Sequence, residues 1–150
     1  MWRAIETLTS LRAAPRLTVV ALALPEVDRQ MLFDIAQQRH WRLVTATTLE
    51  EALAAIQQWE PPVVICNRQL PRHEWGDAVS AMAAASNPPC ILLASPVADS
   101  YLWMEAVRRG GYDLLVRPFT EEPLVRSVQL AWSYWKSGWM KGKTAKTAKR

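Results

Sequence analysis

Glycine is scarce in this chain. Five stand among 150 residues: Gly76, Gly110, Gly111, Gly138 and Gly142. Their spacing makes none of G-x-G-x-x-G, G-x-x-x-x-G-K-[ST] or G-x-S-x-G. Loops that cradle phosphate through close backbone approach need such glycines, so dinucleotide, P-loop and hydrolase-elbow readings start disfavoured. Cysteine is scarcer still. Cys66 and Cys90 suit a cytosolic protein without structural disulfides. With His40 and His73 they form no metal-ligand spacing, so no metal is expected. No apolar run approaches the ~18 residues of a membrane span. Residues 1–16 contain no apolar core of the kind a secretory signal carries.

Lysine is missing from most of the chain. The 18 basic residues include Lys136, Lys141, Lys143, Lys146, Lys149 and Arg150, which sit together without an acid. The other 12 are arginines, set against all 14 carboxylates, so a body of charge −2 carries a tail of +6. Half the residues are hydrophobic and 21% are charged, a globular composition with enough chain for one domain and its core. Trp2, Ile5, Leu8 and Leu11 recur every third residue, which predicts a short N-terminal helix packing on the domain or on a partner.

The body alternates strands and helices. Residues 17–24 (LTVVALAL) read as a buried strand. A helix over 26–39 follows, with Val27, Met31, Leu32 and Ile35 on its apolar face. Residues 41–46 form the second strand. Thr48 caps the next helix, and Glu51 completes a capping box. Its apolar face is Leu49, Ala52, Leu53 and Ile56, and it stops at Pro61-Pro62. Strands over 63–66, 90–94 and 112–116 alternate with helices over 75–85 and 99–109, the latter ended by Gly110-Gly111. Thr120 caps the last helix, which carries Leu124, Val128, Ala131, Trp132 and Trp135 and ends at Gly138. Continuous apolar strands alternating with helices predict a parallel sheet covered on both faces. Right-handed crossovers make it a three-layer, doubly wound α/β fold. Such sheets bind at the carboxyl ends of their strands. Function is therefore sought just after Leu24, Cys66, Ala94 and Val116.

At those ends the sequence resembles a known family. Asn67-Arg68-Gln69-Leu70-Pro71, with Gly76 beyond, is similar to the D-x-x-L-P…G stretch of response-regulator receiver domains. Ala106, Gly110-Gly111, Asp113-Leu114-Leu115 and Arg117-Pro118-Phe119 resemble that family's A-x-x-x-G-A-x-D-Y-L-x-K-P-F. The resemblance runs from about residue 17 to 135. It implies a flavodoxin-like (CheY-like) (βα)5 sandwich with strand order 2-1-3-4-5. It also implies a role in two-component or phosphorelay signalling, in which an Asp after the third strand accepts a phosphoryl group.

The positions that matter for that chemistry differ here. A carboxylate must attack phosphorus, and an amide oxygen is too poor a nucleophile. Asn67 stands at the acceptor position. Mg²⁺ wants oxygen ligands that include carboxylates, yet Leu22, Ala23 and Leu24 fill the region of the family's acidic pair. Arg117 replaces its lysine, and a planar fork is no substitute for a compact ammonium. Leu114 replaces the switch aromatic, while Ser95 is retained. The resemblance thus implies an atypical receiver that is not phosphorylated, binds no Mg²⁺ and is no enzyme.

Several residues carry more than one reading. Asn67 can satisfy backbone groups at a strand end. Arg117 either holds an anion, as a ligand sensor would, or pairs with Glu26, Asp28 or strand-end carbonyls. Ser95 before Pro96 reads as a turn or helix-start residue. Cys66 and Cys90 fall at opposite ends of adjacent strands, about 13 Å apart at ~3.3 Å per residue, beyond the ~7 Å that a disulfide allows. Trp103, Met104, Trp132 and Trp135 are interface candidates. The family's face of fourth helix, fifth strand and fifth helix is a common dimer and partner surface, so a homodimer or docked protein is expected there; packing of these rings on the domain itself is the alternative. The tail reads as a solubilising segment, a weak phosphate-binding arm for nucleic acid or a dock for an acidic partner. The expected layout is an N-terminal extension over 1–15, a receiver-like domain over 16–136 and a basic tail over 137–150 with no output domain. The expected location is the cytoplasm.

Overall fold

A computed structural model describes residues 16–138. The expected N-terminal helix and all of the basic tail beyond Gly138, Trp139 and Met140 included, lie outside the described residues. Five strands, β1 (Thr18–Leu22), β2 (Arg42–Ala46), β3 (Val63–Asn67), β4 (Cys90–Ser95) and β5 (Asp113–Val116), alternate with five helices. These are α1 (Glu26–Arg39), α2 (Leu49–Trp59), α3 (Trp75–Ala83), α4 (Ser100–Arg108) and α5 (Glu121–Lys136). All strand pairs are parallel, in the order β2-β1-β3-β4-β5. The three central strands are buried throughout, as continuous apolar runs require.

Alternation along each strand divides the core in two. Val19, Ala21, Ile65 and Leu92 face α1 and α5, where Leu32, Ile35, Leu124 and Val128 meet them. Val20, Leu22, Val64 and Ile91 face the other way, against Ala52, Ile56, Val79 and Leu102 of α2, α3 and α4. The register sets Cys90 beside Val63 and Cys66 beside Leu93, three residues apart. Both thiols are free and buried. Burial pushes the Cys66 thiol up to about 12.

Local chemistry sets the helix ends. The Thr48 hydroxyl accepts from the Glu51 amide at 3.2 Å, and Glu51 accepts in return from the Thr47 and Thr48 amides. Asp99 caps α4 by accepting from the Leu102 amide at 2.8 Å. Two expectations need correction. The Thr120 side chain makes no cap hydrogen bond, although its residue occupies the N-cap of α5. Val27 is 75% exposed; the sheet takes the side of α1 carrying Leu32, Ile35 and Ala36, and Val27 lies off that stripe.

Gly110 makes the turn from α4 into β5 possible. Its φ is +104°, and a Cβ there would lie 2.6 Å from the Ala83 Cβ of α3. Gly138 also has a positive φ, but nothing lies within 4 Å of its Cβ position. Gly110→Ala should therefore destabilise the fold by a backbone strain of about 1–3 kcal/mol plus the clash, and Gly138→Ala by the strain alone. Urea denaturation of both variants checks this; equal losses would show that α3 yields to the added methyl.

Candidate functional site

The carboxyl ends of the strands form one connected polar edge. The Ala23 amide donates to the Ala46 carbonyl at 2.8 Å, joining the chain after β1 to the end of β2. Asn67, the last residue of β3, donates from Nδ2 to the Ala23 carbonyl at 2.9 Å. The Arg68 amide donates to the Ala94 carbonyl, and the Arg117 amide donates to the Ser95 carbonyl, both at 2.9 Å.

Arg117 then returns the chain of contacts to α1. Its Nε donates to Asp28 Oδ2 at 2.8 Å, and the Phe119 amide donates to Asp28 Oδ1 at 2.9 Å. Asp28 is 3% exposed and the Arg117 side chain 21%. A carboxylate that deep is costly unless it is paired and hydrogen-bonded. Here both oxygens are engaged, one by a cation and one by a backbone donor. Asp28 also sits in the first turn of α1, where the helix N-terminus favours negative charge. Of the readings the sequence leaves open for Arg117, the structure places its guanidinium on Asp28.

The other residues singled out by sequence lie as follows. Asn67 is 6% exposed, and its Oδ1 is buried without a hydrogen-bond partner. Leu22 and Leu24 are buried in the core, and Ala23 between them has a φ of +57°. Ser95 is buried, and its Oγ accepts from the Val97 amide at 3.1 Å, closing a local turn. Leu114 is half-buried against the α2–α3–α4 side of the core. Asn67, Ser95 and Arg117 thus sit at neighbouring strand ends, with Asn67 Nδ2, Ser95 Oγ and Arg117 Nε each bonded within the protein. Among the described residues, no group of three His, Cys, Asp or Glu side chains is placed to hold a metal ion.

The aromatic residues separate into two sets. Trp132 and Trp135 are half-buried and pack against the α1–α5 side of the core. Trp103 and Met104 stand out on α4, 46% and 59% exposed. The Trp103 indole donates to Asp113 Oδ1 at 3.1 Å, which fixes its ring across the start of β5. Tyr101 and Val107 of α4, Val116 of β5 and Tyr134 of α5 are exposed as well. Tyr134 also meets Tyr112 edge-on, with ring centroids 5.3 Å apart. Sequence reasoning missed the Trp103–Asp113 bond, because a solvent-facing pair ten residues apart leaves no periodic signal.

No family model and no curated protein matches the sequence. Solved structures do match it. The chemotaxis response regulator CheY4 of Vibrio cholerae is similar with a TM-score of 0.71 and 25% identity, over 78% of this chain and 99% of that one. The signal receiver domain of an HD domain-containing protein from Pseudomonas fluorescens gives 0.74 at 20% identity, over 83% and 93%. The beryllofluoride-activated NtrC4 receiver domain, described as a dimer, gives 0.71 at 19% identity, over 79% and 98%.

The Asp28–Arg117 pair should matter for stability. Asp28→Ala should cost about 3 kcal/mol, the lower end for breaking a buried pair, because Arg117 can turn partly to water. A double-mutant cycle with Arg117→Ala, read by urea denaturation, checks this. A coupling energy near zero would mean that the two side chains act independently.

Proposed function

We propose that this chain, whose fold is that of a response-regulator receiver domain, is a cytoplasmic interaction module of two-component signalling that takes up no phosphoryl group. The amide at position 67 carries this reading. Its oxygen cannot attack phosphorus as a carboxylate does, and its nitrogen is committed to the Ala23 carbonyl. A carboxylate in the same place would set a negative oxygen against that carbonyl.

The surrounding residues agree. Magnesium would need carboxylate oxygens here, and Ala23 and Leu24 offer none. Asp28, the next buried carboxylate along the chain, has both oxygens occupied. These residues do not fit the ion, and no step through it is assigned. The cation that would face a phosphoryl oxygen is held by Asp28 instead. No catalytic role is assigned to any residue. Among the described residues no helix is long and apolar enough to cross a membrane.

Signalling then runs through association. The face of α4, β5 and α5 offers Tyr101, 83% exposed, with Trp103 and Met104 beside it. Aromatic and methionine side chains are enriched at interface cores, and a ring fixed in advance loses little entropy on binding. The occupant proposed is a second copy of the chain. The similarity to a receiver domain described as a dimer supports that choice.

Two measurements test these statements. After incubation with Mg²⁺ and acetyl phosphate, intact mass should be unchanged for the natural chain and for Asn67→Asp, since the metal ligands are missing in both. A stable gain of about 80 Da, one phosphoryl group, in the natural chain would overturn the reading. Light scattering should give about twice the 17.0 kDa chain mass, falling to a monomer in Trp103→Arg. A monomer at high concentration in the natural chain would remove the dimer.

A further inference from the structure

A cleft opens between α1 and β2, the strand at which the sheet ends. Asp28 turns its carboxylate onto Arg117. A helix rotates about 100° per residue, so Arg29 leaves α1 in another direction. Phe33 stands four residues on, over the same helix face. Leu43 and Thr45, two apart in β2, share one face of their strand. Arg29, Phe33, Leu43 and Thr45 together line a cavity of about 370 Å³. A second cavity, about 320 Å³, lies at the carboxyl ends of β1 and β2, where Thr45, Thr47 and Gln69 join Arg29. Arg29 and Thr45 border both.

The charge in this cleft is of one sign. Arg29 is the charged residue of both linings, and no carboxylate stands beside it there. Among the described residues its guanidinium takes part in no hydrogen bond or ion pair. Arg109, Arg117 and Arg126, by contrast, all meet carboxylates. A guanidinium presents planar N–H donors that fit a carboxylate or phosphate two bonds at a time. The Thr45 and Thr47 hydroxyls and the Gln69 amide supply neutral donors around it. Phe33, 43% exposed, and the half-buried Leu43 supply apolar surface. Both volumes fall within the ~300–1,000 Å³ of small-molecule sites.

We infer that the α1–β2 cleft binds a small organic oxyanion, a carboxylate or phosphate ester whose charged end meets Arg29 and whose apolar end lies against Phe33 and Leu43. An inorganic anion would leave Phe33 uncovered. A neutral apolar molecule would leave Arg29 unpaired. The concave lining favours a small molecule over a flat protein surface. Asn67, Ser95 and Arg117 line neither cavity, so the inference is independent of the phosphoryl reading.

Titration of the full chain with phenyl phosphate, followed by amide NMR, tests it. Shifts should saturate in the millimolar range and concentrate on residues 29–33, 43–47 and 69. Arg29→Ala should weaken binding at least about tenfold, since it removes a charge-assisted contact. Phe33→Ala should remove the preference for phenyl phosphate over inorganic phosphate. Both side chains are exposed, and unchanged sheet amides show that each variant is folded. Benzoate against phenyl phosphate reads which oxyanion the cleft prefers, and either one binding there supports the inference. Three outcomes would overturn it: no saturable shift with either anion, binding that survives Arg29→Ala, and equal binding of neutral phenol. Shifts gathered on residues 136–150 instead would overturn it as well, by placing the anion on the basic tail.

Discussion

A single buried carboxylate fixes the upper edge of this molecule. Asp28 takes the Arg117 guanidinium on one oxygen and the Phe119 amide on the other. Those donors lie 89 and 91 residues away in sequence. The bond joins the first turn of α1 to the segment that leads into α5, so it sets where α5 begins. With Leu124, Val128 and Ala131 fixing its inner face, α5 has little freedom left. The proposed α4–β5–α5 interface borders α5 and inherits its position.

The same contact explains why the strand ends are closed. Ala46 is joined to Ala23, Ala23 to Asn67, Arg68 to Ala94, Ser95 to Arg117, and Arg117 to Asp28. Each residue suits its contact in physical terms. An amide at 67 can donate to a carbonyl where a carboxylate would be repelled. An arginine at 117 can reach Asp28 and pair through its Nε. Alanine and leucine at 23 and 24 add no charge to this edge. The buried Asn67 Oδ1 is the exception, an acceptor that the closed edge leaves without a donor.

Much of this was legible in the sequence, for identifiable reasons. Continuous apolar strands dictate a sheet covered on both faces, and Thr48 with Glu51 or Gly110 with Gly111 are local signals that need no tertiary context. The positions of Asn67, Ser95 and Arg117 at neighbouring strand ends followed from the strand–helix repeat. What the sequence left open was long-range. It offered Glu26, Asp28 or a carbonyl for Arg117, and only the fold selects the first-turn residue that faces the β5 exit. It placed Val27 on the apolar side of α1 because period alone cannot say how wide a stripe the sheet will cover. It could not find the Trp103–Asp113 bond or the α1–β2 cleft, since both depend on how two elements are set side by side.

On the reading proposed above, a receiver fold held in this way has a restricted means of signalling. A ligand shifts a conformational equilibrium only through differential affinity for its two states. Phosphorylation supplies that difference where an acceptor carboxylate and a metal can form new contacts. On the reading proposed above, the side chains at these strand ends are engaged within the protein instead, Asp28 with Arg117 and Asn67 with Ala23. A partner on the proposed α4–β5–α5 interface would meet a surface in which Asp113 anchors the Trp103 ring. Occupancy then follows the concentration of that partner by mass action. In the proposed association, control lies in whatever governs the supply of that partner and not in covalent modification of this domain.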